Sequence, residues 1–374
     1  MTFVLFAGFT VQVAFLLAMY AGMRRVLQKS RDAPSLPDTE SVTGAPDGRD
    51  TPEPVSVVVA ARNEERALPD LFAALRRLEF EEFEVIIVND GSTDRTGEIA
   101  EAEAQGDARF RTVHLSHEGP RGKKRALTAG IAAARHDVLA FTDADCRPPP
   151  GWLRALTALH DGDPESGVIA GFSPFLRGAG FLNRFARYEN LMTAAQMAAG
   201  AGLGQPFLAL GRNLSFRRCL FFRAGGYRHS IRSLSGDDDL FVQHIVRHRL
   251  GPVRVMADSS GTVPTLAPED LGAWIRQKRR HASAGRFYPA GWKITLALYH
   301  ASNLTLWIGC VIGGIPGLLL LGSRLSLLVG AVAPLARRLA QLDMLLWTPL
   351  MEFLYMTHTV TVSLAGVLRM PRRW

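Results

Sequence analysis

Apolar and polar positions divide the chain into contrasting regimes. Residues 2–23 form an apolar run without a charge, closed by Arg24 and Arg25. About 20 apolar residues are enough to cross the hydrocarbon core of a bilayer. A cleaved signal peptide is the alternative, but the run is long, has no positive start and lacks a clear small-x-small cleavage site. It reads as a membrane anchor over 1–27, with Arg24 and Arg25 on the cytoplasmic side. Residues 28–54 are rich in Pro, Asp, Ser, Thr and Gly, with almost no large apolar side chains, and predict a flexible linker.

From 55 to 290 the pattern changes to short β-branched runs alternating with amphipathic stretches. Residues 55–60, 83–88, 110–115 and 138–142 read as strands, and 64–78, 93–105, 123–134 and a stretch from Gly151 as helices. Near-continuous apolar strands separated by helices predict an α/β domain with a parallel sheet covered on both faces. In such sheets ligands bind beyond the carboxyl ends of the strands.

Residues 291–374 turn apolar again, with long runs at 294–322 and 343–368 and a shorter one at 325–335. Two readings compete. One tilted span over 294–322 puts Arg369, Arg372 and Arg373 in the cytoplasm. A break at 313–316 makes two spans, puts Arg337 and Arg338 inside and forces Arg324 into the bilayer. Charge placement favours the single span. Glu352 and His358 in the last run are unusual, since ionisable groups in a span are expensive and often functional.

Composition narrows the classes. With 47% apolar and 21% charged residues, the chain is neither wholly disordered nor all membrane. Cys146, Cys219 and Cys310 stand far apart, which excludes a disulfide framework or a cysteine-ligated zinc site. The net charge of +8 fits nucleic acid, an anionic membrane or a phosphorylated substrate. The basic residues cluster beside the membrane runs with no nucleic-acid recognition motif nearby, so no nucleic-acid partner is expected.

Candidate chemistry lies at the strand ends. The second strand ends in Asn89-Asp90-Gly91-Ser92-Thr93-Asp94. Most of this is turn and cap chemistry, but Asp90 sits where a base or ribose could be held. The fourth runs into Asp143-Ala144-Asp145. If that segment is extended, both carboxylates point the same way, and Mg²⁺ or Mn²⁺ bridged to a diphosphate relieves their repulsion. Asp237-Asp238-Asp239 precedes a helical stretch; one acid caps it, and the excess points to a general base. The basic run of Arg276, Gln277, Lys278, Arg279, Arg280 and His281 reads either as headgroup attraction or as a clamp on a leaving diphosphate.

The ordered set 56–64, 85–94, 122–130, 143–145, 237–240 and 277–281 resembles a membrane-bound family 2 glycosyltransferase, in the superfamily of ceramide glucosyltransferase-like and processive-synthase-like enzymes. The resemblance implies a GT-A, Rossmann-like nucleotide-sugar domain over 55–290, with N- and C-terminal transmembrane helices. It implies an inverting hexosyltransferase that uses a nucleotide-diphosphate sugar, most often UDP-linked, with Mg²⁺ or Mn²⁺. Ala60, Arg62 and Glu64 occupy the family's first nucleotide-contacting loop, and Asp90 matches the acid that recognises the base. Lys123, in Gly122-Lys123-Lys124-Arg125-Ala126-Leu127, is placed beside the donor. Asp143 and Asp145 match the metal motif, with Asp145 the direct ligand. The base aligns with Asp237, or with Asp238 if the register of three acids shifts. Gln277, Arg279 and Arg280 fall in the Gln-x-x-Arg-Trp segment, where His281 replaces the Trp that forms the family's acceptor platform.

Location points to the acceptor. Residues 181–199 read as a helix, either amphipathic at the membrane interface or part of a core, and lead into Gly211-Arg212-Asn213-Leu214-Ser215, a loop the family places near the acceptor. The expected acceptor is a hydroxyl of a membrane lipid or lipid-linked molecule, with the catalytic domain facing the cytoplasm. A processive polysaccharide synthase is the second reading, with few spans for a polymer channel and the Trp missing. A nucleotide-sugar-binding scaffold is the third, opposed by retention of Asp143, Asp145 and Asp237.

Overall fold

The computed structural model describes residues 2–32, 52–116, 122–160, 162–233 and 235–368, with the side chains of 31–32 and 360–368 left out. Most of the expected linker, and the terminal Arg369, Arg372 and Arg373, lie outside the described residues. The chain forms two compact units: 27–174 with 207–266, and 1–26 with 175–206 and 267–373.

The first unit is built on a seven-stranded sheet in the order β3-β2-β1-β4-β6-β5-β7. Its strands are β1 (Val55–Ala61), β2 (Phe83–Asn89), β3 (Phe110–His114), β4 (Val138–Phe141), β5 (Val168–Gly171), β6 (Leu214–Arg217) and β7 (Val253–Met256). Its helices are α2 (Leu68–Arg76), α3 (Thr96–Gly106), α4 (Lys123–Ala133), α5 (Trp152–His160), α7 (Arg218–Arg223) and α8 (Asp239–Arg247). The first four strands are mutually parallel, as the near-continuous apolar runs of β1, β2 and β4 predict. The expectation of an all-parallel sheet is corrected: β6 runs antiparallel to both β4 and β5, which makes the sheet mixed. A strand's direction depends on its connection, and that is not written in its residues.

Alternate residues of β1 bury on opposite faces, as the two-residue period requires. Val55, Val57, Val59 and Ala61 join Leu68, Leu71, Phe72 and Trp152 in one core. On the other face α4 crosses β1 and β2 at Gly130, where a Cβ would collide with Val58 and meet Val88 at 3.0 Å. Helix α2 begins later than its apolar period predicts. Asn63 adopts φ 58°, which breaks the helical path, and Pro69 then suits the first turn because it needs no N–H partner.

His160 on α5 is buried between two hydroxyls, with Nδ1 and Nε2 each 2.7 Å from Ser166 Oγ and Ser215 Oγ. Burial, reinforced by Arg217 and Arg254, pushes its pKa down to about 4. Below pH 6.5 the unfolded chain takes up a proton that the folded chain refuses until about pH 4. This stabilisation is therefore complete above pH 6.5 and is lost as pH falls, by about 1.4 kcal/mol per unit within the window. Chemical denaturation of the wild type at pH 7 and pH 5 shows the loss, and His160→Gln removes that part of the pH dependence.

The second unit is helical: α1 (Thr2–Asp32, of which 2–26 belong here), α6 (Gly180–Gly202), α9 (Leu271–Gly285), α10 (Ala290–Ile312), α11 (Gly314–Arg338) and α12 (Thr348–Leu368). Among the described residues, three helical segments are long and apolar enough to cross a membrane: 2–30, Ala290–Ile312 and Gly314–Arg338. The single span expected over 294–322 is corrected, because the helix breaks at Gly313 and restarts at Gly314 with φ 58°. Arg324, whose cost argued against that break, is fully buried and paired with Glu352. Its Nε donates to Gln12 Oε1 at 3.1 Å and its Nη2 to Tyr299 Oη at 3.2 Å.

Helix α6 is a packed helix of this unit, with most of its residues buried. Gly22 of α1 rests against the backbone of Ala199, so that even a methyl group there would clash. Arg187 makes a bidentate pair with Asp343 at 2.8 and 2.7 Å and donates to Gln341 Oε1 at 2.7 Å. Glu189 accepts from Lys278 at 2.6 Å and Trp274 Nε1 at 3.3 Å, which fastens α9 to α6.

Candidate active site

The first unit gathers its carboxylates at the carboxyl ends of β1, β2 and β4. The loops after β1 and β2 lock each other. Asn63 Oδ1 accepts from the Thr93 amide at 2.8 Å, and the Glu64 amide donates to Thr96 Oγ1 at 2.7 Å. Asp94 accepts from the amides of Glu65 and Thr96 at 3.2 and 3.0 Å, so it acts as a turn and cap residue. Ala60 is the last residue of β1 but one and pairs in register with Val88. Arg62 and Glu64 follow on the loop, both partly exposed.

Asp90 is 1% exposed. Its Oδ2 accepts from the Gly122 amide at 3.0 Å, and Arg125 approaches Oδ1 at 4.0 Å. A buried acid next to a helix start is well placed to read a polar ligand edge.

The Asp143-Ala144-Asp145 segment is not extended as expected. The Cys146 amide donates back to Asp143 O at 3.1 Å, which closes a turn around buried Ala144. The two acids remain neighbours electrostatically. Burial raises the Asp145 pKa, and the Asp143 charge raises it further against Arg212. Glu64 is pushed up to about 7 by burial, then by Asp145, Asp143 and Asp94. Cys146 is pushed up to about 12 by burial and the same two aspartates.

Lys123 answers this negative charge. Its Nζ lies 2.7 Å from Asp143 Oδ1 and 3.4 Å from Asp237 Oδ2. Burial opposes its charge, but Asp143 and Asp237 outweigh burial and hold the ammonium above lysine's usual value.

The two candidate bases have different surroundings. Asp238 caps α8: Oδ1 accepts from the Asp239 amide at 2.7 Å and Oδ2 from the Gly211 amide at 3.0 Å. Burial and the neighbouring Asp237 raise its pKa. Asp237 instead turns Oδ2 toward Lys123, beside Gly211, where an added Cβ would lie 3.0 Å from that oxygen. The glycine keeps the space beside this carboxylate clear.

In the Gly211–Ser215 segment, Asn213 is structural. Its amide donates to Phe172 O and Gly261 O at 2.8 Å each and accepts from Trp152 Nε1 at 3.0 Å. Arg212 is bonded to Ser173 Oγ at 2.8 Å and its charge reaches Asp145. Sequence reasoning gave Arg212 only as one member of a loop, since a lone arginine carries no spacing signal. Gln277, Arg279 and Arg280 belong to α9 of the helical unit. Among the described residues no group of three or more His, Cys, Asp or Glu side chains is arranged to hold a metal ion.

These acids stand on a mixed α/β sheet, at the carboxyl ends of its parallel strands. Residues 56–219 match the family described as Glycosyl transferase family 2. Over 246 residues it is 27% identical to the probable glycosyltransferase YdaM of Bacillus subtilis, covering 62% of this chain and 55% of that protein. Over 109 residues it is 38% identical to the undecaprenyl-phosphate 4-deoxy-4-formamido-L-arabinose transferase of Pseudomonas fluorescens, covering 28% of this chain and 31% of that protein. The chain thus spans about half or less of the length of these relatives. The fold is like that of the mannosyltransferase PcManGT from Pyrobaculum calidifontis, solved in complex with GDP-Man and Mn²⁺. The TM-score is 0.52 at 19% identity, over 96% of this chain and 99% of that one.

Proposed function

We propose that the protein transfers a sugar, with inversion, from a nucleotide-diphosphate sugar to a hydroxyl of a membrane lipid or lipid-linked acceptor, with UDP as the donor nucleotide. The observation that carries this reading is the placement of Lys123 between Asp143 and Asp237, beside Asp145 and Glu64. The relative named for undecaprenyl-phosphate supports a lipid-linked acceptor. The apolar helices support a membrane location, and Arg24 and Arg25 at the end of the first apolar run support a cytoplasmic catalytic domain.

The acids fit a divalent cation. Burial, and after it the neighbouring aspartates, drive Asp145 and Glu64 toward protonation, and a hard cation would relieve that excess of negative charge. Asp145 and Asp143 would hold it. When bound, it supplies positive charge to the leaving diphosphate.

The chain's own residues do the rest. Asp90 receives the base, with Ala60, Arg62 and Glu64 along the nucleotide. Lys123 neutralises Asp143 and the donor's phosphates, and Gln277, Arg279 and Arg280 bind the leaving group. Asp237 takes the acceptor's hydroxyl proton. The oxygen forms its bond to the anomeric carbon as the bond from that carbon to the diphosphate breaks, and the nucleoside diphosphate departs.

Nucleotide release across a panel of nucleotide sugars, with extracted lipid and Mn²⁺ or Mg²⁺, tests the reading. One donor should respond, release should require lipid and metal, and Asp145→Ala should lower it by at least about 100-fold, the scale of a lost charge-stabilising group. Nucleotide binding without turnover on the full panel would contradict it.

A further inference from the structure

The first turn of α4 carries Lys123, Lys124 and Arg125 and no acid. Positive charge at a helix N-terminus opposes the macrodipole, so these cations are held there by other interactions. Lys123 meets carboxylates, as described. Lys124 does not. Its side chain turns into the domain and is 8% exposed. Its Nζ donates to three backbone carbonyls: Ser230 O at 2.6 Å, Ser233 O at 3.0 Å and Ser235 O at 2.7 Å. An ammonium has three protons to give, and all three are used on one segment.

That segment runs directly into Asp237. Only Gly236 separates Ser235 from it, at φ 88°, with Leu240 packed where a Cβ would stand. With consecutive Cα atoms 3.8 Å apart, fixing the Ser235 carbonyl leaves Asp237 little freedom. Upstream, His229 stacks on His244 of α8 with ring centroids 4.1 Å apart, so the segment is also held to the helix that follows Asp237. Neighbouring lysines of one helical turn thus act on the same aspartate. Lys123 faces its carboxylate, and Lys124 ties down the backbone leading to it.

We propose that Lys124 is a positioning residue for sugar transfer: it holds the Ser230, Ser233 and Ser235 carbonyls so that Asp237 meets the acceptor hydroxyl. The inference rests on the transferase reading given under Proposed function. A misplacement of about 1 Å at a reacting group costs on the order of 100-fold in rate.

The test uses the full-length protein in detergent, as wild type, Lys124→Met, Asp237→Asn and the double variant, with Lys124→Gln as a milder substitution that keeps an N–H donor. Donor affinity, kcat, acceptor KM and amide hydrogen exchange are measured on each. Lys124→Met should keep donor Kd within about twofold, lose about 100-fold in kcat and speed exchange within 228–236 more than elsewhere. Lys124→Gln should fall between it and the wild type. Because Lys124 acts through Asp237, adding Lys124→Met to Asp237→Asn should cost only a few-fold more. An unchanged kcat, an equal loss in the Asp237→Asn background, or faster exchange spread evenly over the domain would overturn the proposal. A wild type that transfers no sugar would instead overturn the transferase reading. The exchange comparison needs no turnover, and unchanged protection of 228–236 in Lys124→Met would overturn the clamp on its own.

Discussion

Asp237→Asn is expected to lower kcat by about 10³-fold while donor affinity stays near that of the wild type. A positioned general base contributes roughly 10² to 10⁴ in rate, and the amide cannot take the acceptor's proton. The choice of Asp237 over Asp238 follows from their hydrogen bonds. Both Asp238 oxygens accept backbone amides, from Asp239 and Gly211, and these hold the start of α8. An acid committed to capping costs about 1 kcal/mol of stability when removed. Asp238→Asn should therefore lower the melting temperature and affect turnover less than Asp237→Asn does. Steady-state transfer assays on both variants, with melting curves alongside, decide the assignment. An inactive Asp238→Asn at wild-type stability, beside an active Asp237→Asn, would reverse it.

Breaking the ion pair between Arg324 and Glu352 is expected to have the largest effect on stability. Both side chains are fully buried. Arg324 also bonds Gln12 and Tyr299, and Gln12 Nε2 donates to Tyr299 O at 2.8 Å and Ser302 Oγ at 2.7 Å, so one polar network joins α1, α10, α11 and α12. Glu352→Ala strands a guanidinium without its counter-ion, a loss of about 3–5 kcal/mol. Replacing both, as in Arg324→Met with Glu352→Leu, removes the stranded charge and should recover most of that loss. Thermal unfolding in detergent of the two single variants and the double variant measures this. Single variants as stable as the wild type would mean that the pair does not hold these helices.

The same pair shows why charge placement misled the sequence reading. An arginine inside a span looked too costly, and that argument favoured one helix over 294–322. Its compensation comes from Glu352, which is distant in sequence, and no local pattern announces the partner. The breaker itself was visible at 313–316. Strands β1, β2 and β4 were legible because burial on both faces demands near-continuous apolar runs. In β6 Ser215 and Arg217 alternate with Leu214 and Phe216, and in β7 only Met256 is buried, so no continuous run stands out in either. Asp90, Asp143 and Asp145 could be singled out by their position after strands, and Asp237 by its place in an acidic run before a helix. Choosing between Asp237 and Asp238 needed the Gly211 amide, which folding brings from another segment. Lys124 stood at an unremarked position of its motif, and its partners are carbonyls, which any residue type supplies.

The most direct test of the central claim is transfer of labelled sugar from a nucleotide sugar into solvent-extractable lipid, by purified wild type and by Asp237→Asn. Time-dependent labelling of lipid by the wild type, reduced about 10³-fold in the variant, is the expected result. Label that stays in water-soluble hydrolysis products, or equal labelling by both proteins, would contradict the account.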